Sequence, residues 1–132
     1  MGIENRRFPR IKADLKIAYE FVRWNDKNLI KMIEPIYAKI FDISASGIGL
    51  FNLTGLNEKL LKQLEKGDKK IRLAIYLYED KLPLITFARL IWSNYKKDND
   101  NKLERFGFVF LDVANSFFEE VKSFVDNHLE ER

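Results

Sequence analysis

Apolar and polar side chains alternate along the segment from Leu15 to Trp24. One face carries Leu15, Ile17, Tyr19 and Phe21, and the other carries Lys16, Ala18 and Glu20. A period of two among aromatic and branched residues predicts a half-buried strand. A second extended segment runs from 29 to 43. Pro35 within it predicts a bulge or an edge position, because proline cannot donate to a strand ladder.

Four more extended segments follow, at 48–51, 70–78, 84–95 and 105–111. Turn residues 79–83 predict a hairpin between the second and third of these, and 96–102 is a charged, asparagine-rich loop. A short helix is predicted at 57–66, with Asn57 as its N-cap and Gly67 at its end. A last helix is predicted at 114–129, with an apolar face of Phe117, Phe118, Val121, Phe124, Val125 and Leu129.

The order of elements predicts a mainly β fold. Three strands, a short helix, three strands and a helix give mostly antiparallel pairing without β–α–β alternation, which implies a small barrel or a sandwich. The last helix would cover one end of it. At 132 residues the chain is long enough for one domain with a real core. We expect a single domain over 1–132, with an arm at 1–10, strands within 15–111 and the helix at 114–129.

Composition excludes several kinds of chemistry. The chain has no cysteine and one histidine, so a structural zinc site lacks its ligands and a cysteine nucleophile is absent. His128 lies in the last helix, where packing is the simpler role, and the glycines at 47–49 follow no phosphate-loop pattern. We expect no enzyme, no cofactor, no metal site and no catalytic residue.

The sequence also bears on location. No apolar run reaches the roughly 20 residues of a membrane helix, and the polar, basic start has no apolar core of a secretion signal. We expect a cytoplasmic protein without membrane insertion.

The net charge of +3 is small, and its distribution is more informative than its size. Residues 1–16 hold five basic and two acidic side chains. The net charge of this segment, +3, therefore equals that of the whole chain. An anionic partner that meets this arm and a solvated basic tail are both consistent with that pattern.

The arm contains the first candidate motif, Arg6-Arg7-Phe8-Pro9-Arg10, directly before the first strand. Arg6 and Arg10 have the spacing R-x-x-x-R. Guanidinium forks match phosphate oxygens or the O6 and N7 atoms of guanine, and their planes stack on bases. Two arginines on such an arm can clamp a phosphorylated nucleotide, although the motif alone is common.

The second motif is Asp42-Ile43-Ser44-Ala45-Ser46-Gly47. If Phe41 and Ile43 fill the core, strand alternation makes Asp42 and Ser44 face outward. The carboxylate can accept from the N1–H and amine of guanine, and the hydroxyl can donate to a phosphate or a base. Gly47 would supply either a positive φ or a close backbone approach. The alternative is an ordinary turn capped by Asp42.

Together, the two motifs in this order resemble the PilZ family. The resemblance covers nearly the whole chain, since 88–92 (ARLIW) and 105–110 (RFGFVF) look like the last two strands of that family. It implies a six-stranded antiparallel PilZ-type β-barrel with a short helix and a C-terminal helix. It also implies a receptor for cyclic di-GMP that controls motility, exopolysaccharide or biofilm behaviour.

The same resemblance implies the binding residues. Arg6 and Arg10 match the two arm arginines, and Asp42, Ser44 and Gly47 match the second motif. Arg7, between the arm arginines, is a phosphate-steering charge. The family often has another arginine directly before the motif. Asn5 stands there in this chain, so one or two cyclic di-GMP molecules per chain remain possible.

A receptor of this kind acts by binding. We expect the arm from Glu4 to Arg10 to be mobile without ligand and ordered by it, which creates a surface for an effector protein. We expect a monomer or a weak homodimer, with no DNA or RNA as partner. A PilZ-like interaction module that binds no nucleotide is the alternative, and a single-strand nucleic-acid binder is a further one.

The aromatic residues outside the motifs are expected to be mostly structural. Trp92 on a long strand is assigned to the core, with base stacking as its other possible role. Trp24 at a strand end is expected near the surface. Phe117 and Phe118 together exceed one helix face, so an apolar patch left over there could meet another protein.

Overall fold

Six antiparallel strands close into a barrel in the computed structural model, which describes residues 8–29, 36–95 and 103–130. The strands are β1 (Lys16–Arg23), β2 (Ile36–Ile43), β3 (Gly47–Phe51), β4 (Lys69–Tyr76), β5 (Leu84–Ser93) and β6 (Arg105–Leu111). Around the barrel they follow the order β1, β2, β3, β6, β5, β4. The predicted antiparallel barrel is confirmed. The predictions for Pro35 and for the loop at 96–102 fall outside the described residues.

Two helices complete the described fold, α1 (Glu58–Lys66) and α2 (Asn115–Glu130). The side chain of Asn57 accepts the backbone N–H of Leu60 at 2.8 Å, which satisfies one free donor of the first turn of α1. Gly67 ends α1 with φ of 82°, a left-handed conformation that favours glycine. The predicted cap and stop of α1 are both confirmed.

The core lies inside the barrel and under α2. Inward-facing strand residues are almost fully buried, including Ile17, Tyr19, Ile43, Ile48, Leu50, Ile71, Leu73, Ile75, Phe106 and Phe108. From α2, Phe117 meets Phe110 with ring centroids 5.1 Å apart, and Phe124 meets Tyr78 at 5.8 Å. Burying each large apolar side chain contributes about 1.5–3 kcal/mol, so the apolar face of α2 fixes the helix on the barrel.

A β-bulge interrupts β2 where it pairs with β3. Ile40 lies opposite Leu50 and Asp42 lies opposite Gly49, so Phe41 is the extra residue. Unbroken alternation from the buried Ile40 would point Asp42 into the barrel. The bulge places Phe41 and Asp42 together on the outside instead, and the expectation that Phe41 fills the core is wrong.

A second bulge interrupts β5 where it pairs with β6. Leu90 lies opposite Phe108 and Trp92 opposite Gly107, which leaves Ile91 as the extra residue. Ile91 is 56% exposed and Trp92 is 44% exposed. The prediction that Trp92 lies in the core is therefore wrong, because the additional residue reverses the side of the sheet on which Trp92 emerges.

Arg72 fastens the chain after β1 to the outer face of β4. Its guanidinium donates to the Asn28 carbonyl at 2.6 Å, to Glu20 at 2.7 Å and to Asp26 at 2.8 Å, while only 5% of its side chain is exposed. Trp24, just after β1, is 39% exposed, as predicted. These bonds fix residues 24–28 against the barrel.

The pKa of Asp26 gives this anchor a pH dependence. The backbone N–H of Asn28 and the Arg72 guanidinium hold the pKa of Asp26 below its ordinary value of 3.8, despite the opposing effect of burial. A carboxyl group with a lowered pKa stabilises the fold at pH values above its unfolded-state pKa, and this contribution is lost as the pH falls through its folded-state pKa.

For Asp26→Asn, we expect the loss of unfolding free energy to be largest near neutral pH and to shrink below about pH 4. Urea unfolding at several pH values measures it. A difference independent of pH contradicts the assignment.

Candidate functional site

The segment before β1 is joined to the end of β2 by a short β-bridge. Ile11 donates to the Ile43 carbonyl at 3.0 Å, and Ile43 donates back to the Ile11 carbonyl at 2.9 Å. Both residues are buried, at 2% and 0% exposure, so the bridge lies in the core. The bridge is antiparallel, so Arg10 lies opposite Ser44 and Asp42 lies opposite Lys12. Arg10 and Asp42 are therefore diagonal neighbours on the outer face of the bridge, within reach of a long side chain.

Arg10 and Asp42 form an ion pair at this position. Arg10 Nη1 donates to Asp42 Oδ1 at 3.0 Å across 32 residues of sequence. Their side chains are 22% and 19% exposed, so the pair is partly shielded and still reachable from solvent. A charge-assisted hydrogen bond of this length is among the stronger polar contacts of a protein surface. One residue of each sequence motif, Arg10 and Asp42, is therefore found at the same place.

Ser44 holds the turn that follows β2. Its hydroxyl oxygen accepts the backbone N–H groups of Ser46 and Gly47, each at 3.2 Å, and lies 3.1 Å from the Ser46 hydroxyl. The Ser44 backbone N–H donates to the Gly47 carbonyl at 2.9 Å. Ser44 is 1% exposed rather than outward-facing as expected. Within the described contacts, the hydroxyl of Ser44 caps this turn and the carboxylate of Asp42 pairs with Arg10.

Gly47 is required by a close backbone approach. A Cβ atom there would lie 2.4 Å from the Phe108 carbonyl oxygen of β6, a distance no side chain tolerates, and 3.5 Å from Arg10 Nη2. The φ of Gly47 is not positive. Of the two roles considered for Gly47, the close backbone approach is therefore the one that the structure shows. Gly47 thus lets β3 and β6 pair closely, beside the Arg10 guanidinium.

Beside the ion pair, the two bulges build a surface that we call the aromatic platform, formed by Phe41, Phe51 and Trp92. Phe41 lies 5.1 Å from Phe51 and 5.9 Å from Trp92 between ring centroids. Phe41 covers Gly49 and Trp92 covers Gly107, and these two glycines face each other across β3 and β6. The platform depends on this glycine pair, since a Cβ at either position would overlap the ring above it.

Sequence reasoning missed Phe41, Phe51 and Arg105 as site residues. The Arg105 guanidinium lies 5.7 Å from the Phe41 ring centroid and 5.9 Å from that of Phe51. A signal was present, because Gly49 and Gly107 each interrupt an apolar strand, and glycine inside a strand indicates a bulge or a close approach. Their mutual pairing was needed to place the rings together.

The arm is described from Phe8 onward, so Arg6 and Arg7 lie outside the described residues. Phe8 packs edge-on against Phe118 of α2, with ring centroids 5.2 Å apart. Phe118 is partly covered, and the patch expected there meets the arm of the same chain. The arm therefore contacts α2 through Phe8 and β2 through Arg10.

Other candidate chemistry was searched in the described part of the chain. His128 Nδ1 lies 2.9 Å from the Phe124 carbonyl oxygen one turn earlier, which agrees with the packing role expected for it. Over residues 8–29, 36–95 and 103–130, no group of three histidine or acidic side chains could hold a metal ion. Neither described helix is long and apolar enough to cross a membrane.

Comparison with known proteins identifies the architecture. A sequence model of the PilZ domain matches residues 4–127. No curated protein sequence matches the chain.

Among solved structures, the fold is similar to the inhibitor of motility MotI/DgrA of Bacillus subtilis, with a TM-score of 0.66, 19% identity and coverage of 98% of this chain and 54% of that one. It is similar to the PilZ domain of YcgR from Escherichia coli with c-di-GMP, with a TM-score of 0.60, 17% identity and coverage of 96% and 92%. The K. pneumonia MrkH–c-di-GMP complex matches with a TM-score of 0.62, 16% identity and coverage of 98% and 53%. The chain thus spans about half the length of MotI/DgrA and MrkH.

The packing of the Trp92 indole over Gly107 can be tested by the substitution Gly107→Ala. The added Cβ would meet Trp92 Nε1, so we expect the indole to move into solvent, with a red-shifted emission and a stability loss of about 1–3 kcal/mol. Fluorescence in a Trp24→Phe background isolates Trp92, because the chain has two tryptophans. Gly55→Ala is the control. Its positive φ of 83° predicts a loss of about 1 kcal/mol, but no atom lies within 4 Å and the emission stays unchanged. An unshifted emission spectrum of Gly107→Ala would contradict the packing of Trp92 over Gly107.

Proposed function

The chain belongs to the PilZ domain family, and from this premise we propose that it is a cyclic di-GMP receptor that regulates a partner protein in motility, exopolysaccharide or biofilm control. The observation that carries the proposal is the 3.0 Å ion pair between Arg10 and Asp42. It joins Arg10 of the arm motif to Asp42 of the strand motif at a solvent-accessible point.

Solved structures with the same fold support the proposed identity of the ligand. YcgR and MrkH, and PlzA of Borreliella burgdorferi, are each solved in complex with c-di-GMP. MotI/DgrA is an inhibitor of motility. These activities belong to those proteins, and their transfer to this chain rests on its own site residues.

Guanine fits between the partners of the ion pair. Its O6 and N7 atoms accept hydrogen bonds, which suits Arg10, and its N1–H and exocyclic amine donate, which suits Asp42. Insertion of guanine therefore replaces one charge-assisted contact with contacts to both ions, and neither charge is left unpaired. Adenine presents an amine where guanine presents O6, so Arg10 would face a donor. The pair selects guanine over adenine.

The remaining residues of the proposed site have supporting roles. Ser44 holds the turn that fixes Gly47, and Gly47 lets β3 approach β6 closely next to Arg10. Arg6 and Arg7, from the arm, supply phosphate contacts in this proposal. Trp92, at 44% exposure on the aromatic platform, offers a face on which a base can stack, a contact worth about 1–3 kcal/mol.

The proposal predicts calorimetric binding of cyclic di-GMP in the micromolar range or tighter, with no binding of cyclic di-AMP and weaker binding of GTP. Arg10→Ala and Asp42→Ala should each weaken binding about 10- to 100-fold, since a bidentate guanine contact is worth about 1–3 kcal/mol. Arg23→Ala removes an exposed arginine at the end of β1 and serves as a charge-matched control that leaves the affinity unchanged.

Two results would count against this function. Equal affinity for cyclic di-AMP would remove the guanine selection argued above. Absence of binding by a folded native chain would favour the alternative, a PilZ-like interaction module that binds no nucleotide.

Ligand held between the arm and the barrel should also protect the arm. We expect saturating cyclic di-GMP to slow backbone hydrogen exchange at residues 4–10, because their amides become enclosed by the ligand and by the surface around Asp42. Residues 58–66 of α1, which hold none of the site residues, provide an internal control. Unchanged exchange at 4–10 with bound ligand would show that the arm does not close over it.

A further inference from the structure

A cavity of about 450 Å³ opens on the outer face of the barrel next to the aromatic platform. Phe41 and Phe51 form its aromatic lining, and Lys12, Lys39 and Arg105 bring positive charge to it. Its volume falls within the range of small-molecule sites. We call it the Phe51 cavity. Neither Arg10 nor Asp42 lines it, so it is distinct from the ion pair.

The charge of the Phe51 cavity favours an anion. Three cations line it against one carboxylate, Asp14, which leaves a formal excess of two positive charges. Across the described part of the chain, none of the three cations has a carboxylate within ion-pair distance. Cations that outnumber the neighbouring carboxylates repel one another, and a bound anion relieves that repulsion.

The aromatic side chains in the cavity lining favour an anion that also carries an aromatic ring. Phe41 and Phe51 lie 5.1 Å apart, and Arg105 stands within 6 Å of both ring centroids, as in cation–π contacts. A bare phosphate would leave the aromatic surface unused, and an apolar peptide would bury the cations without partners. A base with its phosphate satisfies both parts of the cavity.

The position of the cavity connects it with the ion pair. Lys39 precedes Asp42 by three residues on β2, about 10 Å along a strand, and Phe41 stands between them. A cyclic dinucleotide has two base–phosphate halves. Resting on the function proposed above, we propose that the Phe51 cavity is a second nucleotide subsite, which takes a guanine base and its phosphate. Either the second half of the same cyclic di-GMP or a second molecule supplies them.

Calorimetry with cyclic di-GMP on Lys39→Gln, Arg105→Gln and the double variant tests the subsite. If one molecule spans both sites, we expect the stoichiometry to remain one and the Kd to rise about tenfold in the double variant. If a second molecule fills the cavity, the stoichiometry falls from two to one and the tighter Kd is unchanged.

Lys16→Gln is the matched control for these variants. Lys16 lies opposite Lys39 in the β1–β2 register, but its ammonium lies over Tyr37 and Tyr76, outside the cavity. Equal melting temperatures establish that the variants are folded. Native stoichiometry and affinity in the double variant, with binding weakened in Asp42→Ala, would overturn the subsite and leave the proposed function intact.

An NMR titration with GMP separates the two proposals if cyclic di-GMP does not bind. Saturable shifts of the Lys39 and Phe51 amides would then support the cavity as a nucleotide site although the receptor function had failed. Without shifts at either position, the subsite is refuted along with that function.

Discussion

Two β-bulges above a facing pair of glycines determine what this barrel presents to solvent. Each bulge adds one residue to a strand and reverses the face on which the following side chains emerge. In β2 this brings Asp42 out of the barrel, and in β5 it brings Trp92 out. Gly49 and Gly107 make the arrangement possible, because only hydrogen atoms lie beneath the rings of Phe41 and Trp92. Without the bulges, the carboxylate would point into an apolar core, where an unpaired charge is prohibitively costly.

The short bridge between Ile11 and Ile43 joins the arm to the end of β2, next to the first bulge. Two backbone hydrogen bonds between buried residues set the register of the arm on β2, and Arg10 reaches Asp42 as a result. On the other side, Phe8 packs on Phe118 of α2. The described start of the arm thus touches both the barrel and the terminal helix, so a ligand that draws on Arg10 acts on a segment packed against α2.

The outer surface combines two chemistries in adjacent places. The ion pair offers a donor and an acceptor side by side, which suits the edge of a guanine. The Phe51 cavity offers rings and an excess of positive charge, which suit a base with its phosphate. Glycines and small turn residues let these side chains approach one another, while the fully buried core below them supplies a rigid support. The recognition proposed above therefore depends on the strand framework as much as on the arginines.

The sequence by itself determined the fold class and most element positions, because alternation, helix caps and turn residues are local signals. Asn57, Gly67 and the strand at 105–111 illustrate this. It also marked Arg10, Asp42 and Gly47 through their order and spacing. Only the tertiary structure decided which way Phe41, Ser44 and Trp92 face. A one-residue bulge reverses the face of a strand, and its position depends on pairing with β3 and β6, partners that single-strand periodicity does not contain.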